Sequence, residues 1–399
     1  FDIVIGNPPY GNLLKDTEKK FVSNFFNYST TSDISSLFIE QSINFLTIKG
    51  NLSFIITYAI TFSKDFSKNR EQIADNFEFS TIFIFDRDKC RIFENMTQTV
   101  AILQCFNKKS IIKKGIYSSR MFRETPDIYK IEVSNCNKYL LPKKADYKDK
   151  HRLPKIGENI NRQILDKMLE FNYVVRSVIK DNGNKIWIRT SGNYWYNAFD
   201  KKPYNSVEIS PLFVESDFSD FLILLMNSSI FYFWFRIYGD GRHMNMDILE
   251  MFPLPDKEKI LRYNSLLRKM KKRFLTKLFS VFEKDRNRFL TSKVKSEIDL
   301  LDMFLGRHFY NLDYNEIDHI INYDYEIRGG NKLNTNIKEV INQILNLKSQ
   351  NPQADTKHLE DQIDIMVYKL YELTYDEVKI IDPEIEKVIS KEEYERFEL

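Results

Sequence analysis

The sequence predicts an α/β fold over residues 1–110, followed by a mixed α+β segment and a helical C-terminal region. Over residues 1–110, short apolar runs that suit strands alternate with segments whose apolar residues have helical spacing. This alternation is typical of a doubly wound sheet with parallel strands. From residue 257 onward the helical spacing dominates. We therefore expect four segments, 1–110, 111–150, 151–256 and 257–399, of which the second is a polar connector with a strand or two.

The first predicted strand runs from Phe1 to Ile5, a short apolar run with one acidic residue that is typical of a buried strand. It ends at Gly6, and Asn7-Pro8-Pro9-Tyr10 follows. Two consecutive prolines remove two backbone donors and fix φ near about −65°, so the strand must end in a stiff, extended loop. Such a loop holds two oxygen acceptors, the Asn7 amide and the Pro8 carbonyl, beside the Tyr10 ring. A strand that simply ends in a proline turn is the alternative interpretation.

Two acceptors beside an aromatic face suit the exocyclic amino group of a planar base. Methylation of that nitrogen consists mainly of holding a poorly nucleophilic NH2 in line with a methyl donor. At this point the sequence resembles motif IV of the S-adenosylmethionine-dependent adenine-N6 DNA methyltransferases. The resemblance implies a catalytic loop of Asn7, Pro8, Pro9 and Tyr10. In it Asn7 and Pro8 hydrogen-bond the amino group, and Tyr10 stacks on a base that has been flipped out of the duplex.

The next elements are predicted from spacing and from helix stop signals, Gly50 above all. The last two strands can pair as a hairpin. The expected order is helix Ile34 to Lys49, strand Asn51 to Thr57, helix Phe66 to Phe77, strand Ser80 to Phe85 and strand Thr99 to Phe106.

Three of these stretches resemble further motifs of the same family. Residues 33–38 resemble motif V, which implies that Phe38 lies near the adenine ring of the cofactor; a core position on an amphipathic helix is the alternative. Residues 50–57 resemble motif VI. Residues 91–95 resemble motif VIII, which implies that Phe93 faces the flipped base opposite Tyr10. A core aromatic near a loop is the alternative for Phe93.

The glycine-rich cofactor loop of the family, which normally precedes motif IV, is not found in the sequence. None of the 12 glycines belongs to a GxGxxG pattern after a strand. The chain also starts at Phe1, in what looks like a core strand. We therefore expect it to be the C-terminal part of a Rossmann-like methyltransferase. An upstream segment or partner chain would then supply most of the S-adenosylmethionine site.

The segment 151–256 is expected to form a second domain, with a helix near Ile160 to Leu169 and a strand at Lys185 to Arg189. The apolar run Phe218 to Tyr238 is expected to form two helices or a bent one. A polar turn at residues 239–243 and Phe-Pro-Leu-Pro at 252–255 follow. This pattern resembles the target-recognition domains of Type IIG and Taq-like methyltransferases and the Type I specificity subunits. The resemblance implies base or phosphate contacts from arginines. The candidates are Arg189, Arg236 and Arg242.

The C-terminal region begins with a basic helix over Lys257 to Lys284, which suits either phosphate contact or a solvated face. Further helices are expected near Asn336 to Lys348 and Lys357 to Leu373. The basic face carries Arg268, Lys269, Lys271, Lys272 and Arg273.

Composition bounds the partners and the compartment. A net charge of +3 gives no global basic field, so any DNA-binding surface must be local. The cysteines Cys90, Cys105 and Cys136 are far apart, which suits small apolar residues in a reducing cytosol rather than zinc or disulfides. No apolar stretch approaches the length of about 18 residues expected of a membrane span. We expect a cytoplasmic protein whose partner is duplex DNA, with no metal site and no membrane.

Three other functions compete with this prediction. A PD-(D/E)xK nuclease is not supported, because Asp127 is followed by Glu132 without the required lysine. Protein glutamine methyltransferases share Asn-Pro-Pro-Tyr but need no large appended domain. A non-catalytic DNA-recognition fragment or subunit stays open, because the cofactor loop is not found. The sequence predicts an adenine-specific, site-specific DNA methyltransferase of a restriction-modification system.

Overall fold

The computed structural model describes residues 1–86, 90, 92–93, 98–107, 114–122, 152–192 and 195–399. These residues form two compact units, Phe1–Arg162 and Gln163–Leu399. Residues 115–122, in the expected connector, form a strand of the sheet of the first unit. Residues 163–256 also form one unit with the C-terminal helices. Cys136 and the two acidic residues of the rival nuclease pattern, Asp127 and Glu132, lie outside the described residues.

The first unit contains a mixed five-stranded sheet in the order β1-β2-β4-β3-β5. Its strands are β1 (Ile3–Gly6), β2 (Asn51–Thr57), β3 (Phe79–Phe85), β4 (Val100–Phe106) and β5 (Gly115–Phe122). β1 is parallel to β2, and β3 is parallel to β5. β4 is antiparallel to both β2 and β3, which confirms the predicted hairpin of β3 and β4. The sheet is therefore mixed. The antiparallel neighbours β3 and β4 are joined without the crossover helix that parallel neighbours need.

The prediction that the first strand is buried is wrong for one of its faces. Phe1 is 74% exposed, Ile3 66% and Ile5 77%. β1 lies at the edge of the sheet with β2 as its neighbour, and alternate side chains of a strand point to opposite faces. Val4 points to the other face and packs against the core. Within the described part of the chain, the face with Ile3 and Ile5 is left largely uncovered.

Four α-helices of the first unit accompany the sheet: α1 (Asp16–Ser23), α2 (Ser35–Phe45), α3 (Ala59–Phe62) and α4 (Ser67–Asn76). α2 ends earlier than predicted, because the Thr47 N–H bonds to the Phe1 carbonyl oxygen instead of continuing the helix. The main core lies between the sheet and these helices. It includes Ile39, Phe54, Ile56, Ile73, Ile82, Leu103 and Cys105. Burial raises the pKa of the Cys105 thiol to about 12, so it behaves as a small apolar residue.

Helix α5 (Asn159–Leu169) contains the boundary between the units, and the second unit continues with short elements and a three-stranded antiparallel sheet. The short elements that precede this sheet are β6 (Tyr173–Val174) and α6 (Val175–Val178). The sheet order is β8-β7-β9, with β7 (Ile179–Arg189), β8 (Ala198–Phe199) and β9 (Ile209–Val214).

The apolar run of the second unit forms α7 (Ser216–Asn227) and α8 (Ser229–Tyr238), bent by 73° relative to each other, as the sequence predicts. Their side chains are almost all buried. Within the described ranges, no single helix has the length and apolar composition of a membrane span, although this bent pair has them when its halves are taken together.

The rest of the second unit is mainly helical. The predicted basic helix is divided at Tyr263, and the two later helices lie close to their predicted positions. The elements in order are α9 (Met246–Glu250), β10 (Pro253–Leu254), α10 (Lys257–Arg262), α11 (Asn264–Ser280), β11 (Phe282–Glu283), β12 (Arg288–Phe289), α12 (Lys295–Tyr310), α13 (Tyr314–Ile321), α14 (Tyr325–Arg328), α15 (Thr335–Gln350), α16 (Lys357–Leu370), α17 (Tyr375–Ile381) and α18 (Lys391–Arg396).

Candidate functional site

The Asn-Pro-Pro-Tyr loop leaves the carboxyl end of β1, the end at which parallel strands commonly present ligand-binding residues. The Asn7 side chain is exposed, while Pro8 is buried and anchors the loop. Among the described residues, the Asn7 amide has no hydrogen-bond partner. Tyr10 is half-buried, and desolvation raises the pKa of its hydroxyl, which keeps the ring neutral. The loop thus carries a free amide at Asn7 and, three residues later, a half-buried aromatic ring at Tyr10.

Gly11 joins this loop to the start of α2. Its carbonyl oxygen accepts hydrogen bonds of 3.0 Å from the N–H groups of Leu13 and Ile34. Gly11 has φ +105°, a backbone conformation that residues with a side chain rarely adopt. A glycine directly after a Pro-Pro-Tyr turn is a sequence signal that could have identified Gly11, which the motif resemblances do not include.

The start of α2 carries the residue predicted to lie near a cofactor. The Asp33 carboxylate accepts hydrogen bonds from the Ser35 N–H at 3.0 Å and the Ser35 hydroxyl at 2.7 Å, which fixes the first turn. Phe38 follows one turn later and is 40% exposed. Phe38 is therefore not a fully packed core residue.

The loop between β3 and β4 comes close to Gly11 at its far end. A Cβ atom built on Gly11 would lie 3.7 Å from the Gln98 side-chain nitrogen. Phe93 is in the same loop and is 36% exposed. Arg91, Glu94 and Asn95 of the motif VIII stretch lie outside the described residues. Printed contacts of Gly11 therefore connect the Asn-Pro-Pro-Tyr loop to Ile34, directly before α2, and to Gln98 at the end of the loop before β4.

Two of the three candidate arginines of the second unit are held together by backbone contacts. Arg189 ends β7, and Ser191 forms a β-bridge with His243. The Gly192 N–H donates to the Arg242 carbonyl oxygen at 3.1 Å. Arg242 is exposed, whereas Arg189 is partly exposed and lies 3.6 Å from the Glu208 carboxylate. Arg189, at the end of β7, and Arg242, in the 239–243 turn, therefore lie close together at one end of the sheet.

Arg236 has a different environment. Its side chain is only 4% exposed, and the guanidinium lies 3.4 Å from the Asp324 carboxylate and 3.4 Å from the Gly241 carbonyl oxygen. Gly241 has φ +84°, and a Cβ built there would lie 2.5 Å from the guanidinium. The buried Arg236 side chain thus packs against the 239–243 turn and stabilises it. We leave it out of the residues proposed to contact DNA.

The basic face of α11 is largely neutralised by carboxylates. Lys271 pairs with Asp220 at 2.6 Å, and Arg273 pairs with Glu297 at 3.1 Å. Arg268 and Lys269 have carboxylate neighbours at 3.6 Å. These pairings favour the solvated face over phosphate contact. No group of three or more metal-ligating side chains occurs among the residues that the structure describes.

The first unit is an α/β domain whose first strand ends in an Asn-Pro-Pro-Tyr loop. This loop carries an exposed amide at Asn7 and an aromatic ring at Tyr10. Residues 1–93 match the family model described as Eco57I restriction-modification methylase. The match covers the sheet edge, the loop and the Phe93 position, and it does not extend to the second unit.

Two curated proteins are similar over short segments. The putative type II restriction enzyme and methyltransferase RM.MjaORFECS2P of Methanocaldococcus jannaschii is 38% identical over 73 residues, which are 18% of this chain and 6% of the relative. The type II methyltransferase M.BstVI of Geobacillus stearothermophilus is 27% identical over 124 residues, 30% of this chain and 22% of the relative. The matches thus span less than a quarter of either relative.

Among solved structures, the Type IIL restriction-modification enzyme MmeI in complex with DNA aligns with 86% of this chain and 56% of its own, at a TM-score of 0.42 and 12% identity. The type IIG restriction endonuclease BpuSI aligns with 96% of this chain and 54% of its own, at a TM-score of 0.30 and 12% identity. Both similarities are too low to carry an argument about this chain.

Proposed function

We propose that this chain supplies the base-binding and target-recognition parts of an adenine-N6 DNA methyltransferase of a restriction-modification system. The observation that carries the proposal is the Asn-Pro-Pro-Tyr loop, with a buried Pro8 and an exposed Asn7 amide. In this role, the Asn7 amide oxygen and the Pro8 carbonyl oxygen accept hydrogen bonds from the target N6 amino group. These bonds position the nitrogen for in-line attack on a methyl donor.

The flipped adenine would be held between two aromatic rings. Tyr10 stacks on one face and Phe93 on the other, and both rings have exposed surface for this purpose. The neutral Tyr10 hydroxyl is consistent with a stacking role rather than proton transfer. Phe38 at the start of α2 would contact the adenine ring of the cofactor, S-adenosylmethionine, which supplies the methyl group.

Most of the cofactor site would come from a further segment or partner chain. The exposed face of β1, with Ile3 and Ile5 and the preceding Phe1, is suited to that contact, because the burial of apolar surface favours association. Burial of each aliphatic side chain would contribute roughly 1.5–3 kcal/mol to the association. We propose that this face receives the cofactor-binding half of the enzyme.

The second unit would select the DNA site. Arg242, in the 239–243 turn, and the partly exposed Arg189, at the end of β7, lie close together and can reach base edges, where arginine pairs with guanine through two hydrogen bonds.

The test is methyl transfer from labelled S-adenosylmethionine to unmethylated duplex DNA, using residues 1–399 and the product of the complete reading frame. Asn7→Ala is compared with Asn12→Ala, an exposed asparagine in the same loop region. We expect transfer by the complete product to be abolished by Asn7→Ala and retained by Asn12→Ala, with N6-methyladenine as the product. Equal activity of both variants would contradict the assigned role of Asn7.

A second candidate is a DNA-recognition module without methyl transfer. The lack of a GxGxxG pattern among the 12 glycines favours it. Duplex binding without transfer by either protein would support this alternative.

A further inference from the structure

One face of the β8-β7-β9 sheet carries lysines above partly exposed aromatic rings. Lys185 lies opposite Phe213 and Trp187 lies opposite Pro211 in the pairing of β7 with β9. The intervening residues of β7 and β9 point to the opposite face and are buried. They are Ile186, Ile188, Leu212 and Val214. The sheet thus has one packed face and one face towards solvent.

The lysine ammonium groups lie over the rings rather than extending away from the surface. The Lys185 Nζ is 5.1 Å from the Phe213 ring centre and 5.7 Å from that of Trp187. The Lys202 Nζ, from the segment after β8, is 5.4 Å from the Trp187 ring centre. Distances within about 6 Å allow cation–π attraction. We call Lys185, Trp187, Lys202 and Phe213 the lysine–aromatic face.

These lysines differ from most cations of the second unit in having no carboxylate partner. Lys257, Lys271 and Lys277 each lie within 3.0 Å of a carboxylate oxygen. Among the described residues, Lys185 and Lys202 have no carboxylate within salt-bridge distance. Both are exposed, so their charges are available to an external anion. A local positive surface therefore exists despite the small net charge of the chain.

We infer that the lysine–aromatic face binds the phosphate backbone of duplex DNA, an inference that rests on the proposed function. Ammonium groups without partners attract closely spaced phosphates and release their counterions. A lysine is a point charge without the planar fork of arginine, so it suits phosphates rather than base edges. The face would hold the duplex without reading its sequence.

The position of Arg189 indicates what this contact achieves. Arg189 lies two residues beyond Trp187 on β7, and side chains two apart share a face of a strand. Phosphates held at Lys185 and Lys202 would bring a groove alongside Arg189 and the adjoining Arg242 loop. The lysine–aromatic face therefore fixes the register of the duplex, and the arginines specify bases.

The test measures the affinity of the full 399-residue chain for labelled duplexes of several unrelated sequences over a range of salt concentrations. The Lys185→Ala/Lys202→Ala variant is compared with Lys379→Ala/Lys387→Ala, which removes two exposed lysines that are paired with Glu386 and Glu384. Both variants lose the same charge. We expect only the first to reduce the slope of log affinity against log salt, by about 2, equally for all sequences. Lys185→Arg/Lys202→Arg should restore the slope.

An unchanged slope in Lys185→Ala/Lys202→Ala, with duplex binding retained, overturns this inference and leaves the proposed function standing. If the wild-type chain binds no duplex, both fail. Polyglutamate serves as a probe for an acidic protein partner. If the substitutions weaken polyglutamate binding and leave the duplex slope unchanged, the face belongs to such a partner instead.

Discussion

The backbone N–H of Ile34 donates a hydrogen bond of 3.0 Å to the carbonyl oxygen of Gly11. This bond connects the Asn-Pro-Pro-Tyr loop, which would bind the base, to α2, which would contact the cofactor. The position of the Asn-Pro-Pro-Tyr loop is therefore tied to the start of α2. The bond depends on the left-handed backbone of Gly11, with φ +105°.

Gly11→Ala should lower methyl transfer without added steric conflict. The built Cβ is 3.7 Å from Gln98, an ordinary contact, so the cost comes from backbone strain of about 1–3 kcal/mol. If that strain is relieved by loop displacement, kcat/KM of the complete product should fall about tenfold or more. The control is Gly6→Ala, whose Cβ would make an ordinary 3.5 Å contact with Phe54. Equal losses in the two variants would contradict the argument.

The sequence predicts the strands and the hairpin of the first unit well, because β2, β3 and β4 are apolar runs of characteristic length. It does not distinguish a central strand from an edge strand. The run from Phe1 to Ile5 looks like core, yet Ile5 is 77% exposed. Periodicity reports which residues are apolar and not how many neighbours a strand has.

The arginines show a second limit of the sequence. Arg236 lies in an apolar helix, and only the packing of α8 reveals that its side chain points towards Asp324. The proximity of Arg189 and Arg242 depends on a bridge between Ser191 and His243, a long-range contact that local patterns do not encode.

The Ile3→Thr/Ile5→Thr variant tests the proposed role of the β1 face. Threonine keeps the β propensity and removes apolar surface. Since both side chains are mostly exposed, the free energy of unfolding of residues 1–399 should change by less than about 0.5 kcal/mol. Methyl transfer by the complete product should nevertheless fall, because the cofactor-binding half loses its contact. Urea unfolding and methyl-transfer assays measure the two effects.

Val4→Ala is the matched control, because Val4 lies on the other face of β1 and packs against the core. It should destabilise residues 1–399 by about 0.5–3 kcal/mol. Full activity of the Ile3→Thr/Ile5→Thr variant would exclude this face as the site of association.

Arg236 and Arg242 should differ in what their substitution removes. Arg236→Met removes the guanidinium that lies 3.4 Å from the Asp324 carboxylate. This loss should lower the unfolding free energy by about 3 kcal/mol.

Arg242→Ala changes an exposed side chain, so stability should be nearly unchanged. Duplex affinity should then fall by about 1–3 kcal/mol for the cognate site alone. Denaturant unfolding and binding to cognate and unrelated duplexes separate the two roles. A loss of affinity with Arg242→Ala that is equal for every sequence would indicate a phosphate contact.

Asp302 should make the stability of the second unit depend on pH. One carboxylate oxygen accepts the Ser229 N–H at 2.7 Å, while the other is buried without a hydrogen-bond partner among the described residues. Burial raises the pKa of Asp302 to about 7. In the unfolded chain the value is about 4. Between these values the folded state keeps a proton that the unfolded state releases. The contribution of Asp302 to stability is therefore fully present below about pH 4 and is lost as the pH rises to about 7.

Asp302→Asn retains the acceptor oxygen and removes the ionisable group. We expect it to flatten the dependence of the unfolding free energy on pH between about 4 and 7, and to stabilise the unit above that interval. Asp376→Asn, which removes a carboxylate that is 78% exposed, should keep the wild-type dependence. Chemical unfolding at a series of pH values measures both. An unaltered slope in Asp302→Asn would mean that Asp302 is ionised in the folded protein throughout this range, with Lys295 and Arg328 offsetting the cost of its burial.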